Sequence, residues 1–421
     1  MADQAEVKAG ERSSQTTAAE TPQAKQTSKS TTASRPRYLT NLLTFLSDQW
    51  FLIAIGLSIA IASQHQIPPR HQHLKTTLTT YLNVSLIFFI TGCTLDTRIL
   101  IQNYSRWKVH LYVQIQCFLV TSAIAFAIVS AAATNKDFMD PGLLVGMIFF
   151  SCVATTMSSN VVMTRQANGN TALTVVQTTV GNFVGVFISP ALVVMYTSVP
   201  AWYNAVLPQQ SGHFAEIYER VLKQLGLSIY VPMAVGQITR YFFPEACKKV
   251  FVQWKMVKLS SVCMLLIIWS TYDQAFASRA FDSVRPNNMI FVVFVCLALF
   301  LVYFGIALGS ALMWLPRKDV VSVCYCVPAK GPALGVPLST TIFVGIDLAL
   351  QSKIQIPIVI YQGLQTIFGS ALISVFRRWI AAEEYRQQET CCERGPAAEV
   401  DERGGASEVV QQESIAAKHA T

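Results

Sequence analysis

The sequence predicts an all-α polytopic membrane protein, ten transmembrane helices in two inverted five-helix repeats, with helices four and nine broken. Three observations carry that expectation. Of 421 residues only 13% are charged against 52% hydrophobic, where a soluble domain carries roughly 25% charged residues. Apolar runs near the bilayer-crossing length of about 20 residues recur from Trp50 to Phe376. Two of those runs are interrupted, and the interruptions fall at corresponding places in the two halves of the chain.

Residues 1–40 are rich in Ser, Thr, Gln, Ala and Lys and nearly free of aromatics, so they cannot bury enough surface to offset ordering entropy and read as a disordered tail. No apolar stretch follows Met1, which argues against a cleaved signal peptide. A transmembrane domain is expected over 41–379, with spans near 49–64, 78–94, 108–133, 142–164, 171–196, 220–242, 256–274, 288–315, 319–345 and 354–376. The halves are then about 49–196 and 220–376. Residues 211–224, with Glu216, Glu219, Arg220 and Lys223, read as an interfacial lead-in to the sixth span. From 380 to 421 the chain turns polar and acidic, with Glu383, Glu384, Glu389 and Glu393, and is expected to be a second disordered tail.

An even number of spans puts both tails on one side, and Lys/Arg bias says which. Loops after even-numbered spans hold Arg98, Arg106, Arg165, Arg240, Lys248, Lys249, Lys255, Arg317 and Lys318, more than the opposite loops with Arg70, Lys75, Lys136, Arg279, Arg285 and Lys353, or with Arg220 and Lys223 added when the lead-in is counted. Both termini are therefore expected in the cytoplasm. The sequon Asn83-Val-Ser85 lies inside span two and Asn103-Tyr-Ser105 on the cytoplasmic side, so neither reads as a glycan site.

Most of the ten cysteines sit in or beside apolar runs, where cysteine behaves as a small hydrophobe. Cys391 and Cys392 follow the last span; they read as free cytosolic thiols or as candidate lipidation sites. His71 and His73 lie close together, but no Cys or carboxylate completes a metal shell. No Walker A, HExxH or GxSxG run appears, so an enzyme is not expected. The net charge of +8 is accounted for by loops beside anionic lipid, without nucleic acid.

The first interruption is "CVATTMSSN", Cys152 to Asn160, and the second "CVPAKGP", Cys326 to Pro332. Proline removes a backbone donor and glycine loosens a helix, so the ninth span should unwind near Pro328–Pro332. In lipid such a break survives only when buried in protein or lining a cavity. Ser158 and Lys330 are 172 positions apart, and the same offset carries the first span's start at 49 to 221, one residue from the start of the sixth at 220. Interrupted helices at matching positions of inverted halves point to a mid-membrane binding site. Ser159 and Asn160 add side-chain oxygens there, and Thr174 and Thr178 lie one turn apart on span five. The plainer reading of such hydroxyls is a bond to a carbonyl of their own helix. An intramembrane lysine, Lys330, is a functional candidate by default.

The stretch "SSNVVMTRQANGNTALTVVQTT", Ser158 to Thr179, resembles the bile acid:sodium symporter family, and "AKGPALGVP", Ala329 to Pro337, resembles the ninth helix of its orphan member-seven branch and fungal relatives. The resemblance implies panel and core domains, with the broken helices crossing in the core. It implies ion ligands at Ser159, Asn160, Thr174 and Thr178, a helix-three glutamine near Gln116 with Gln114 an equal candidate, and further ligand positions at Cys326 and Lys330. There the family's glutamate is a thiol and its glutamine an ammonium, which weakens two-sodium symport and leaves sodium or proton coupling open. The branch is associated with negative control of cytosolic calcium. The resemblance therefore implies a plasma-membrane solute-carrier-like protein that restrains calcium influx, with secretory-pathway membranes as the alternative location. Its partners would be the bilayer, an unknown small solute or ion, and calcium-entry machinery. Alternatives are a sodium-coupled symporter of an organic anion and a non-transporting regulator acting through its tails.

Overall fold

A computed structural model describes residues 50–95, 105–136, 138–208, 214–254, 256–282 and 284–393. The expected tail over 1–40 and the acidic stretch beyond 393 lie outside them. Among the described residues the chain is helical and contains no strand.

In chain order the helices are α1 (Trp50–Gln64), α2 (Arg70–Thr94), α3 (Trp107–Ala132), α4 (Pro141–Ser151), α5 (Ser158–Gln166), α6 (Thr171–Thr197), α7 (214–242), α8 (Val257–Ala277), α9 (Pro286–Leu312), α10 (Arg317–Cys326), α11 (Pro332–Ile342) and α12 (Leu348–Glu393). Their starts follow from local chemistry. The Asp140 side chain caps α4 by accepting from the Gly142 N–H, and Asn170 caps α6 through Leu173. Pro141, Pro286 and Pro332 take first-turn positions where no backbone donor is needed.

Within α2, α3, α6, α9 and α12 there is enough length and apolarity to cross a membrane; α1 and α4 are shorter but apolar. Leu82, Leu227, Ile290 and Phe294 are more than three-fifths exposed, at 62, 65, 67 and 65%. Repeated over several helices, such faces require hydrocarbon rather than water around them. The chain is a polytopic membrane protein.

Packing is reciprocal. Helix α1 lies on α8 and α2 on α7, while α4 lies on α12. Helix α3 meets α9 through Tyr112 Oη and Ser310 Oγ, 2.6 Å apart, and through the Tyr303 hydroxyl donating to Thr121 O at 2.8 Å. The α2–α7 crossing is backbone on backbone: a Cβ on Gly92 would overlap Met233 O, and one on Gly236 would overlap Phe89 O. Small residues let membrane helices approach this closely.

Two boundaries depart from the sequence reading. Helix α2 begins at Arg70 rather than near 78, because Lys75 is neutralised where it enters the fold. Its Nζ donates to Asp273 Oδ2 at 2.6 Å and to Ser270 O at 3.1 Å, and both partners are buried. Asp273 also accepts from Gln72 Nε2 and the Ile67 N–H, each at 2.9 Å. At the other end α12 continues past the expected boundary at 380 to Glu393, held by ion pairs of Arg317 with Glu383 and Lys318 with Glu384, each 2.9 Å. Asp273→Ala leaves a buried ammonium uncompensated, and the expected loss is about 3–5 kcal/mol. A thermal melt in detergent that fails to show a lower midpoint would remove the pair's structural role.

Candidate functional site

Helix α4 stops at Ser151 without proline or glycine to stop it. Hydroxyl side chains offer the backbone an alternative to the helix ladder, and here they bond to one another instead. The Thr156 hydroxyl donates to Asn160 Oδ1 at 2.9 Å and accepts from Ser159 Oγ at 2.9 Å, while Asn160 Nδ2 donates to Thr155 Oγ1 at 2.8 Å. Three carbonyls freed by the break find partners elsewhere. Val153 O accepts from Lys330 Nζ at 3.1 Å, Ala154 O from the Gly331 N–H at 3.0 Å, and Thr155 O from Asn182 Nδ2 at 2.9 Å.

The second break, between Cys326 and Pro332, lies against the first through that Gly331–Ala154 bond. Pro328 and Pro332 bring no N–H, so fewer donors need satisfying. Helix α12 supplies the rest. Gln365 brackets Lys330, accepting from its N–H at 2.8 Å and donating to its carbonyl at 2.9 Å, and the Tyr361 hydroxyl donates to Pro328 O at 2.6 Å. Gln362 Oε1 accepts in turn from Gln365 Nε2 at 2.6 Å. A small cavity of about 10 Å³, room for one water, is lined by Ser159, Asn160, Pro328, Gln365 and Thr366.

Lys330 is wholly buried. Its Nζ donates to Cys117 O at 2.5 Å, Thr121 Oγ1 at 3.0 Å and Val153 O at 3.1 Å, with Cys117 Sγ at 3.8 Å. The Cys117 carbonyl is available because α3 widens over Gln116–Val120, where the Thr121 N–H reaches back to Gln116 O. An ammonium has three donors, and each meets a neutral oxygen. Two carbonyls and a hydroxyl are ligands that suit a hard cation; here the cation is a side chain.

The structure thus brings Ser159, Asn160 and Lys330 to the meeting of the breaks. Thr174 is buried, donating to Thr164 Oγ1 at 3.1 Å and lying beside the thiol of Cys326, where the second break begins. Thr178 donates to Thr174 O and Val175 O of its own helix at 2.9 and 3.0 Å, the plain membrane-hydroxyl arrangement. Gln116 does not join the group: its Nε2 donates to Ser310 Oγ on α9 at 2.8 Å. Gln114 is the glutamine on this side, donating to Gln177 O at 3.1 Å and Gln177 Oε1 at 3.0 Å, with its Oε1 beside Gly181. Cys391 and Cys392 fall in the last turn of α12, away from the breaks in sequence. Sequence reasoning passed over Asn182, Gln362 and Gln365. The signal for the last two was the polar spacing "YQGLQT", Tyr361 to Thr366, inside an otherwise apolar span.

Comparison with known proteins gives a consistent result. The family model described as the SBF-like CPA transporter family matches residues 49–378. The chain is 34% identical over 384 residues to Solute carrier RCH1 of Candida albicans, covering 83% of this chain and 93% of that protein. To Solute carrier RCH1 of Saccharomyces cerevisiae it is 31% identical over 375 residues, 80% and 85% of the respective chains. To Sodium/bile acid cotransporter 7 of Xenopus tropicalis it is 27% identical over 355 residues, covering 82% and 96%.

Proposed function

The chain belongs to the SBF-like CPA transporter family, and on that premise we propose that it is a ten-pass plasma-membrane carrier whose output is restrained calcium influx. It moves a small solute by alternating access at the meeting of the two breaks. Five helices per half in inverted order agree with the reciprocal packing of α1 on α8 and α2 on α7. Both termini then face the cytoplasm. The observation that carries the reading is Lys330, whose ammonium fills a wholly buried cage of Cys117 O, Thr121 Oγ1 and Val153 O. Irregular backbone and a buried charge cost stability in lipid and persist where function needs them.

Both breaks are built without a carboxylate, so the calcium effect is read as a consequence of moving another solute or ion. Sodium-coupled uptake of an organic anion is the second reading, favoured by relatives named sodium/bile acid cotransporter 7. Lys330 and Cys326 argue against it. Two unit charges 4 Å apart repel by about 4 kcal/mol at an effective dielectric near 20, and a thiol offers no charged oxygen. A third reading, regulation of calcium-entry machinery through the tails, is separated by mutation.

Asn160→Ala and Lys330→Ala are expected to abolish suppression of calcium uptake in cells while the protein still reaches the membrane. Deleting 394–421, which spares the ion-paired end of α12, is expected to leave suppression intact. The reverse pattern would favour the tail-mediated regulator.

A further inference from the structure

The ends of α1, α2, α7 and α8 gather on one side of the protein. Arg240 Nη1, near the end of α7, donates to Cys93 O near the end of α2 at 3.1 Å. Lys258, at the start of α8, sits over the ring of Trp50, which opens α1, 5.9 Å from its centroid. Between α7 and α8 the chain forms a short helical segment, Pro244–Cys247 continued by Lys248–Gln253. That segment is anchored inward by the buried Cys247 and by Phe251, edge-on to Phe89 at 6.4 Å.

Its outer side has a different character. Lys248 and Lys249 are exposed, and Lys249 lies over the Trp254 ring at 6.0 Å. Tyr241, Phe242, Phe243 and Trp254 are 82, 67, 63 and 64% exposed. Aromatic area on this scale belongs in the headgroup layer of a bilayer, where tryptophan and tyrosine place a ring in the apolar part and a polar edge in the wet part. A lysine stem laid over such a ring holds its ammonium at the same depth, which is the depth of lipid phosphate. Between 240 and 258 the one carboxylate is Glu245, so the belt carries a net positive charge.

We propose that this belt is a binding site for the headgroup of an anionic phospholipid. Lys248, Lys249 and Lys258 take the phosphate and balance its net charge, while Tyr241, Phe242 and Trp254 lie against the glycerol and upper acyl chains. A zwitterionic lipid offers the same phosphate without the net charge and binds less well. Because Cys247 and Phe251 anchor the α7–α8 connection inward, Phe251 against Phe89 of α2, while Lys248 and Lys249 face outward from it, an occupied site fastens that connection to the leaflet.

Tryptophan quenching by brominated lipids tests the site on the full-length protein in vesicles. Brominated phosphatidylserine or brominated phosphatidylcholine is included at equal mole fraction, and the Trp254 signal is taken as the difference between the wild type and Trp254→Phe. Phosphatidylserine is expected to quench Trp254 preferentially. Lys248→Gln, Lys249→Gln and Lys258→Gln should each lower the preference about fivefold, and the triple variant should lose it while keeping quenching by phosphatidylcholine. Equal quenching by the two lipids in the wild type, or an undiminished preference in the triple variant, overturns the proposal. So does relief of the quenching by millimolar inorganic phosphate, which would make the site one for soluble phosphate.

Discussion

Lys330→Ala is expected to lower the unfolding midpoint sharply in sodium-free buffer and to make it rise with added sodium, whereas the wild type responds to neither sodium nor choline. The substitution removes an ammonium and leaves Cys117 O and Val153 O facing a vacated, fully buried space. A buried acceptor left without a donor costs about 1–3 kcal/mol; Val153 O loses its donor outright, while Cys117 O keeps only the Thr121 hydroxyl at 2.5 Å. The same oxygens, with Thr121 Oγ1, suit a hard cation once the tethered one is gone. Lys330→Met separates the effects, because it restores volume without freeing the cage. It should be destabilised but not rescued. The check is a pair of melts in sodium and choline chloride; parallel curves for wild type and Lys330→Ala would sink the tethered-cation reading.

An effect of similar size is expected at the α2–α7 crossing. Gly92→Leu or Gly236→Leu should abolish recovery of monodisperse protein, and even alanine should lower it. At both positions a first side-chain carbon overlaps backbone oxygen of the facing helix, which has no rotamer to turn away. Separating the helices would also break the bonds from Gln237 Nε2 to Gly92 O at 2.7 Å and to Leu95 O at 3.1 Å. Overpacking a well-packed contact typically costs about 1–3 kcal/mol when side chains can adjust, and here the backbone itself must move. The internal control is α9, where Gly305 and Gly309 have nothing within 4 Å of an added carbon. Gly305→Leu and Gly309→Leu should be recovered normally by size-exclusion chromatography. Equal yields at α2 and α9 would show that the crossing is not the constraint.

The breaks were legible in the sequence because proline, glycine and clustered hydroxyls act locally. Pro328 and Pro332 lack donors, and Thr155, Thr156, Ser159 and Asn160 are polar side chains crowded closely enough to bond to one another. Lys330 stood out as a charge in an apolar run. Its partners did not, since two are backbone carbonyls, and Cys117 O is freed by a widening of α3 that no proline or glycine announces. The same widening explains Gln116: it changes the helical register at that residue, so spacing could not decide between Gln114 and Gln116. The early start of α2 and the long run of α12 were hidden for another reason. Each goes with an ion pair between residues far apart in the chain, Lys75 with Asp273 and Arg317 with Glu383, which local sequence does not announce.

The cation at the meeting of the breaks is covalently attached, and that changes the bioenergetics of any cycle built on it. A co-transported ion drives accumulation because it dissociates on the far side and dissipates its own gradient. In the proposed cycle the ammonium of Lys330 would travel out and back with the polypeptide, so as long as it keeps its proton it would carry no net charge over a complete cycle and tap no ion gradient. With only this cation in place, the direction of flux in that cycle would follow the concentration of the solute itself, and the cargo would be equilibrated across the membrane instead of concentrated.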